Sequence, residues 1–202
     1  YTYEEDFTAL QGYAVYHRKF DKIFEVAKRG LSTQEKDEVL KAICMWEISN
    51  YADIGPVWRI FENKIRNFMK IRLEKSFSVN WFSSKILPNL PQDIQQIVLK
   101  RFAETKNLSG LSSIDNHPNP NTFLVAENYL PLIEKIQVCF GDFLSSPNKK
   151  YRHYISDIIN TRNAPIHGRD PDEKTDLYSN MIIKTLMSLE WLNKLEPELL
   201  NS

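Results

Sequence analysis

Apolar residues recur every three or four positions through almost the whole chain, and only six glycines interrupt them. That period belongs to a helix with one buried face, whereas a half-buried strand alternates every second residue. The pattern is strongest in VWRIFENKIRNFMKIRLEKSF, residues 57–77, where Trp58, Phe61, Ile65, Phe68, Met69 and Leu73 line one side and Arg59, Glu62, Arg66 and Lys70 fall elsewhere. Stretches of alternating β-branched residues are nearly absent, so the expected fold class is all-α, a bundle of about seven helices.

Turn chemistry divides the bundle. Phe7, Leu10, Tyr13, Ala14, Phe20, Ile23, Phe24 and Ala27 make a first stripe, and Gly30 stands at its C-cap position. Thr33, with Lys36 and Asp37 behind it, opens a second helix that carries Val39, Leu40, Ile43, Cys44, Trp46 and Ile48 toward a break at Gly55-Pro56. Residues 1–55 therefore read as an N-terminal helical hairpin appended to a bundle of residues 56–202. Asn80-Trp81-Phe82 reads as an aromatic plug, Pro88 and Pro91 bracket a turn, and a helix is expected from Gln92 to Thr105. A loop follows from Lys106 to Asn121, rich in Ser, Asn, Gly and Pro. Helical spacing resumes from Phe123 to Phe143, from Tyr151 to Arg162, and from Asp172 to Leu195.

Composition excludes more than it assigns. With 202 residues, 42% of them hydrophobic, the chain is long enough to bury a sizeable core. Its 26 Lys and Arg balance 26 Asp and Glu, so net charge draws it to neither nucleic acid nor an anionic membrane. Cys44 and Cys139 lie far apart in apolar surroundings without a CxxC partner, which predicts buried free thiols in a reducing compartment and no zinc site. No apolar run approaches 18 residues and no signal-peptide pattern is present, so a cytoplasmic protein without membrane attachment is expected. Beginning at Tyr1 rather than methionine, the chain reads as a piece of something longer. No Ser-His-Asp order, glycine-rich phosphate loop or HExxH pattern occurs, and no cofactor is expected.

One short stretch carries chemistry. In RNAPIHG, Arg162 to Gly168, Pro165 lacks a backbone donor and biases Ala164 away from the α region, while Gly168 permits a tight exit. Helix termination accounts for those two residues and leaves Arg162, Asn163 and His167 unexplained. The three suit a phosphate: arginine presents a fork of donors to its oxygens, histidine moves a proton near neutral pH, and asparagine orients either group. Together they are sufficient for phosphodiester cleavage without a metal when the RNA supplies its own 2′-hydroxyl as nucleophile.

The segment from Arg162 to His167 resembles the Arg-x4-6-His signature of the HEPN superfamily (higher eukaryotes and prokaryotes nucleotide-binding), in which a polar residue, here Asn163, follows the arginine. Its members are helical bundles with the motif toward the end of a late helix and one more long helix after it. The segment from Ile60 to Phe82 is similar to the early helix of several branches, with Glu62 and Arg66 four apart and the aromatic pair Trp81-Phe82 following. The resemblance covers about residues 57–195. It implies a metal-independent endoribonuclease that leaves cyclic phosphate and 5′-hydroxyl ends at a composite site of a homodimer. Arg162 would stabilise the phosphorane-like transition state, His167 would transfer a proton or polarise the 2′-hydroxyl, and Asn163 would position them. Pro165 stands between arginine and histidine and could alter their relative aim. An antiviral or toxin-type setting follows, with RNA as partner and room for an inhibitory or antitoxin partner. The alternative is a non-catalytic HEPN-like module that binds RNA or protein, or a regulatory domain of a larger protein.

Other candidates have plainer readings beside the functional one. Glu62 and Arg66 are either a solvated i,i+4 ion pair or support for the site. Lys149, Lys150, Arg152 and His153 form a small basic cluster that either holds flanking RNA phosphates or merely starts a charged helix. His17 and His117 read as surface residues, and Trp46, Trp58, Trp81 and Trp191 as core.

Overall fold

A computed structural model describes residues 31–39, 55–77, 79–163 and 184–201. Among them the chain is all-α, built from helices and short 3-10 or π turns without a strand. The α-helices are α1 (residues 33–39), α2 (Gly55–Ser76), α3 (Gln92–Ser109), α4 (Tyr129–Lys135), α5 (Gln137–Leu144), α6 (Lys149–Asn163) and α7 (residues 184–195). No helix among the described residues is long and apolar enough to cross a membrane. The first stripe to Gly30, Cys44, Trp46, His17 and His167 lie outside the described residues, as does most of the expected hairpin of residues 1–55.

The chain divides into two compact units, one of Tyr1–Lys64 with Lys150–Ser202, the other of Ile65–Lys149. In the first, α1 opens at Thr33 as expected, behind a capping box closed by Ser32 and Glu35. The Ser32 N–H donates to Glu35 Oε2 at 2.8 Å and the Glu35 N–H to Ser32 Oγ at 3.3 Å. Val57, Trp58, Ile60 and Phe61 of α2, Ile155, Ile158 and Ile159 of α6, and Leu186, Leu189, Trp191 and Leu192 of α7 are buried in this unit. Lys64 is buried with them, 3% exposed, and its ammonium donates to the Leu199 carbonyl at 2.6 Å and faces Glu35 Oε1 at 3.3 Å. Leu199 belongs to a 3-10 turn, Pro197–Asn201, so one buried cation ties α1, α2 and the C-terminal turn together. A desolvated ammonium is tolerable only with such partners.

The second unit is organised by aromatic packing. Phe68 on α2 is fully buried against Phe140 and Phe143 of α5, with ring centroids at 5.8 and 5.6 Å. One turn on, Arg72 grips Asp142 with both guanidinium nitrogens, at 3.2 and 2.8 Å. Such a fork holds α5 in register as well as in contact. Asn80 takes a positive φ of 71°, a conformation asparagine tolerates better than most residues, and turns the chain into a π-helix, Phe82–Ile86. Trp81 and Phe82 are buried there as the aromatic plug, and the Asp115 carboxylate accepts the Phe82 and Ser83 N–H groups at 3.0 and 3.1 Å.

Two boundaries differ from the sequence reading. Helix α3 continues through Ser109, past the Thr105 stop that the loop composition suggested. The hydroxyls of Thr105 and Ser109 donate back to the carbonyls of Arg101 and Thr105, Lys106 suits the negative helix end, and Gly110 at φ 69° supplies the left-handed cap. Conversely, the spacing from Phe123 to Phe143 does not make one helix. It is split into 3-10 turns at Pro120–Phe123 and Ala126–Asn128, then α4 and α5, with Ile136 out of helical geometry between them. Pro131 is the reason for the first break: inside a continuous helix its ring would clash with the carbonyl four residues back, whereas near the start of α4 it is harmless. His117 is half-buried rather than on the surface, its Nδ1 accepting the Asn119 N–H at 3.1 Å and its ring lying edge-on to Phe123.

Candidate functional site

Helix α6 carries the arginine of the motif. Its bounds, Lys149–Asn163, place Arg162 and Asn163 in helical backbone at its last two positions, while the side chains of both, and Ala164 through His167 altogether, are outside the described residues. The register of Arg162 is nevertheless fixed by the helix. Tyr151, Ile155, Ile158 and Arg162 follow one another at spacings of four, three and four, which is one longitudinal row. Ile155 and Ile158 are fully buried. Arg162 thus occupies the next place, at the end of α6, in the row that holds Ile155 and Ile158.

The basic cluster at the other end of α6 has a different register. Lys149, Lys150, Arg152 and His153 occupy its first turns, and its first turn contains no acidic residue. Cations there oppose the helix dipole at roughly 0.3–1 kcal/mol each. His153 is exposed and lies nine positions before Arg162, two and a half turns, on the opposite face and roughly 13 Å back along the axis. The cluster and the motif arginine therefore do not form one stripe. Lys150 is also engaged locally: its ammonium sits 4.8 Å from the Tyr151 ring centroid, and Tyr151 stacks flat on Trp191 of α7 at 4.6 Å with the planes 6° apart. This layer of cation, phenol and indole fastens the start of α6 to α7. One face of Tyr151 is thus covered by Trp191. Further along, Lys184 pairs with Asp157 and fastens the same two helices a second time.

Glu62 and Arg66 are both half-buried on α2. The Arg66 Nε donates to the hydroxyl of the fully buried Tyr129 at 2.7 Å, and the Asn121 amide donates to the Arg66 carbonyl at 3.1 Å. Asn119 joins this network by donating to Asn67 Oδ1 at 2.7 Å. Neither Tyr129 nor Asn121 stood out in the sequence, because nothing in the spacing of α2 reports which side chain 63 residues later meets it. The arrangement gives Arg66 a structural duty: it holds the polypeptide around Asn119–Tyr129 against α2 inside its own unit.

Cys139 is a buried free thiol, as its apolar setting predicted. Burial pushes its pKa above the ordinary 9.0, opposed by a hydrogen bond with Ser76 and by the charge of Arg72, so it remains a neutral thiol near pH 7. Among the described residues no group of three or more His, Cys, Asp or Glu side chains is placed to hold a metal ion.

Comparison with known proteins places nothing beside this chain: no family model, no curated protein and no solved structure matches it.

Proposed function

We propose that the chain is a HEPN-type endoribonuclease whose chemistry is carried by Arg162, Asn163 and His167. The observation that supports this reading is the register of Arg162. Arg162 continues the row of Ile155 and Ile158 in backbone register and is followed at once by asparagine and within five residues by histidine, a grouping that a helix stop at Pro165 and Gly168 does not itself require. It is a sensible one for a helix that must present a fixed guanidinium to a phosphate. The surroundings agree with it: an all-α chain, a motif on a late helix, and a further helix that runs to Leu195.

The reaction follows from the residue types. The RNA 2′-hydroxyl attacks the adjacent phosphorus, the 5′-oxygen of the next nucleotide leaves, and the products are a 2′,3′-cyclic phosphate and a 5′-hydroxyl. Arg162 neutralises charge on the non-bridging oxygens as it builds, and removing a donor of this kind costs roughly 10²–10³ in kcat. His167 transfers the proton, a contribution of roughly 10²–10⁴. Asn163 keeps the pair aligned, and two copies of the motif share the cleft.

The test is incubation of wild type, Arg162→Ala and His167→Ala with a labelled RNA in excess EDTA. Cleavage by wild type with cyclic phosphate ends, lost in both variants, is the expected result. Equal cleavage by wild type and His167→Ala would overturn the assignment, and RNA binding without cleavage by wild type would establish the non-catalytic module instead.

A further inference from the structure

Among the described residues, helix α3 buries far less of its surface than α2. Of its 18 residues only Val98 is buried. Its outward side still carries large apolar side chains: Ile97 is 41% exposed and Leu108 is 91% exposed. Between them stand Arg101 and Glu104, both exposed. The four residues, 97, 101, 104 and 108, follow at spacings of four, three and four, which is the a/d row of a two-stranded coiled coil. Leu108 stands near the end of the helix and Ile97 in its second turn, so the row is apolar at both ends and charged in the middle.

The charges determine what can cover this row. Laid antiparallel about a two-fold axis, two copies of α3 bring Ile97 against the partner's Leu108 and Arg101 against the partner's Glu104, and the same two contacts repeat by symmetry. Sliding the pair by one turn sets Arg101 against its own equivalent in one direction and Glu104 against its own in the other, and either is opposed by like charge. A row that is complementary to itself in only one antiparallel register fits a second copy of the same chain. Glu104 is available for this role, since it has no hydrogen-bond or ion-pair partner among the described residues, while Arg101 spends one N–H on the Phe123 carbonyl at 3.1 Å and keeps others.

We infer that α3 is a self-association surface through which two copies of this chain pair antiparallel, Ile97 to Leu108 and Arg101 to Glu104. The contact is short, roughly 16 Å from Ile97 to Leu108 at 1.5 Å per residue. It falls below the roughly 800 Å² per partner of a standard stable interface, so the dimer is weak and dissociates on dilution. The inference uses none of Arg162, Asn163 or His167 and names a contact between copies distinct from the cleft that two copies of the motif are proposed to share.

Sedimentation equilibrium of the full chain, from about 1 to about 300 µM, tests it. The expected result is a reversible association step with a dissociation constant on the order of 10–100 µM, monomer to dimer, or dimer to tetramer where the motif cleft already pairs the chain. Leu108→Asp, at a side chain too exposed to matter for folding, should weaken it by at least about tenfold, as should Glu104→Arg. The double exchange Arg101→Glu with Glu104→Arg should restore association, because each pair is then reversed but still opposite. A chain whose mass stays constant across the range, monomer or dimer, overturns the inference, including the case in which another part of the same chain covers α3. So does an association step that Leu108→Asp leaves unchanged. Should Arg101→Glu unfold the protein through loss of its Phe123 contact, far-ultraviolet circular dichroism would show it, and Leu108→Asp with Glu104→Arg still decide the matter.

Discussion

Helices α2 and α3 are of similar length, 22 and 18 residues, and both read as helix from sequence, yet they are stabilised by different means. Along α2, Val57, Trp58, Ile60, Phe61, Ile65, Phe68, Met69 and Leu73 are all buried. Along α3 only Val98 is. The first is a core element whose stability comes from tertiary packing. The second keeps its shape through caps, hydroxyl-to-carbonyl bonds, and a few contacts such as the edge-on pair of Phe102 and Phe123 at 5.8 Å. Helical periodicity in a sequence reports that a helix can form, and it leaves open how much of its apolar side a given fold covers.

The contrast can be broken by mutation, most sharply on α2. Phe68→Ala removes a fully buried ring from between Phe140 and Phe143 and should cost about 3–5 kcal/mol in urea denaturation. A loss under about 1 kcal/mol would mean that α2 is not the core element described. Lys64→Met leaves Glu35 and the Leu199 carbonyl without their ammonium and should cost about 2–4 kcal/mol, read in the same way.

Smaller effects belong to α3 and to the end of α2. Gly110→Ala forces a methyl-bearing residue into φ 69° and should cost about 1–2 kcal/mol, although nothing lies within 4 Å of the added carbon, so the penalty is purely conformational. At the Ser76 end of α2, the raised pKa of Cys139 means the folded state holds that proton more tightly than the unfolded state. Its contribution is complete below the ordinary value of 9.0 and is lost as pH rises through the higher folded value. The urea midpoint of wild type should therefore fall relative to Cys139→Ala above pH 9, and parallel curves would contradict it. Leu108→Ser should change monomer stability by less than about 0.5 kcal/mol at low micromolar concentration. A larger loss would show that α3 is covered within the monomer.

The same comparison explains what could be read in advance. The stripe on α2 was legible because every member of it is buried against something, so periodicity and packing coincide. The end of α3 was not, because the serine and threonine that read as loop formers satisfy carbonyls of the helix itself. The break at α4 and α5 was hidden by the apolar spacing, which runs on through Tyr129, Leu132, Ile133, Ile136, Cys139, Phe140 and Phe143 although the backbone does not. For the candidate site, the sequence placed Arg162 at a helix end, and the bounds of α6 add the row on which it stands. The sequence did not reveal that Arg66 would be held by Tyr129 or that Tyr151 would stack on Trp191, since both depend on partners far along the chain.

The bond from Lys64 to Leu199 spans 135 positions, and its unit draws its strands of chain from both ends of the sequence. The other unit is a single continuous stretch, Ile65–Lys149. During synthesis the continuous unit is complete once its last residue leaves the ribosome, whereas the buried ammonium of Lys64 has no carbonyl to meet until the C-terminal turn has been made. From the making of Lys64 until the turn Pro197–Asn201 has been made, then, the first unit waits unclosed, and a chaperone or an early-binding partner would find its apolar helices open during that interval.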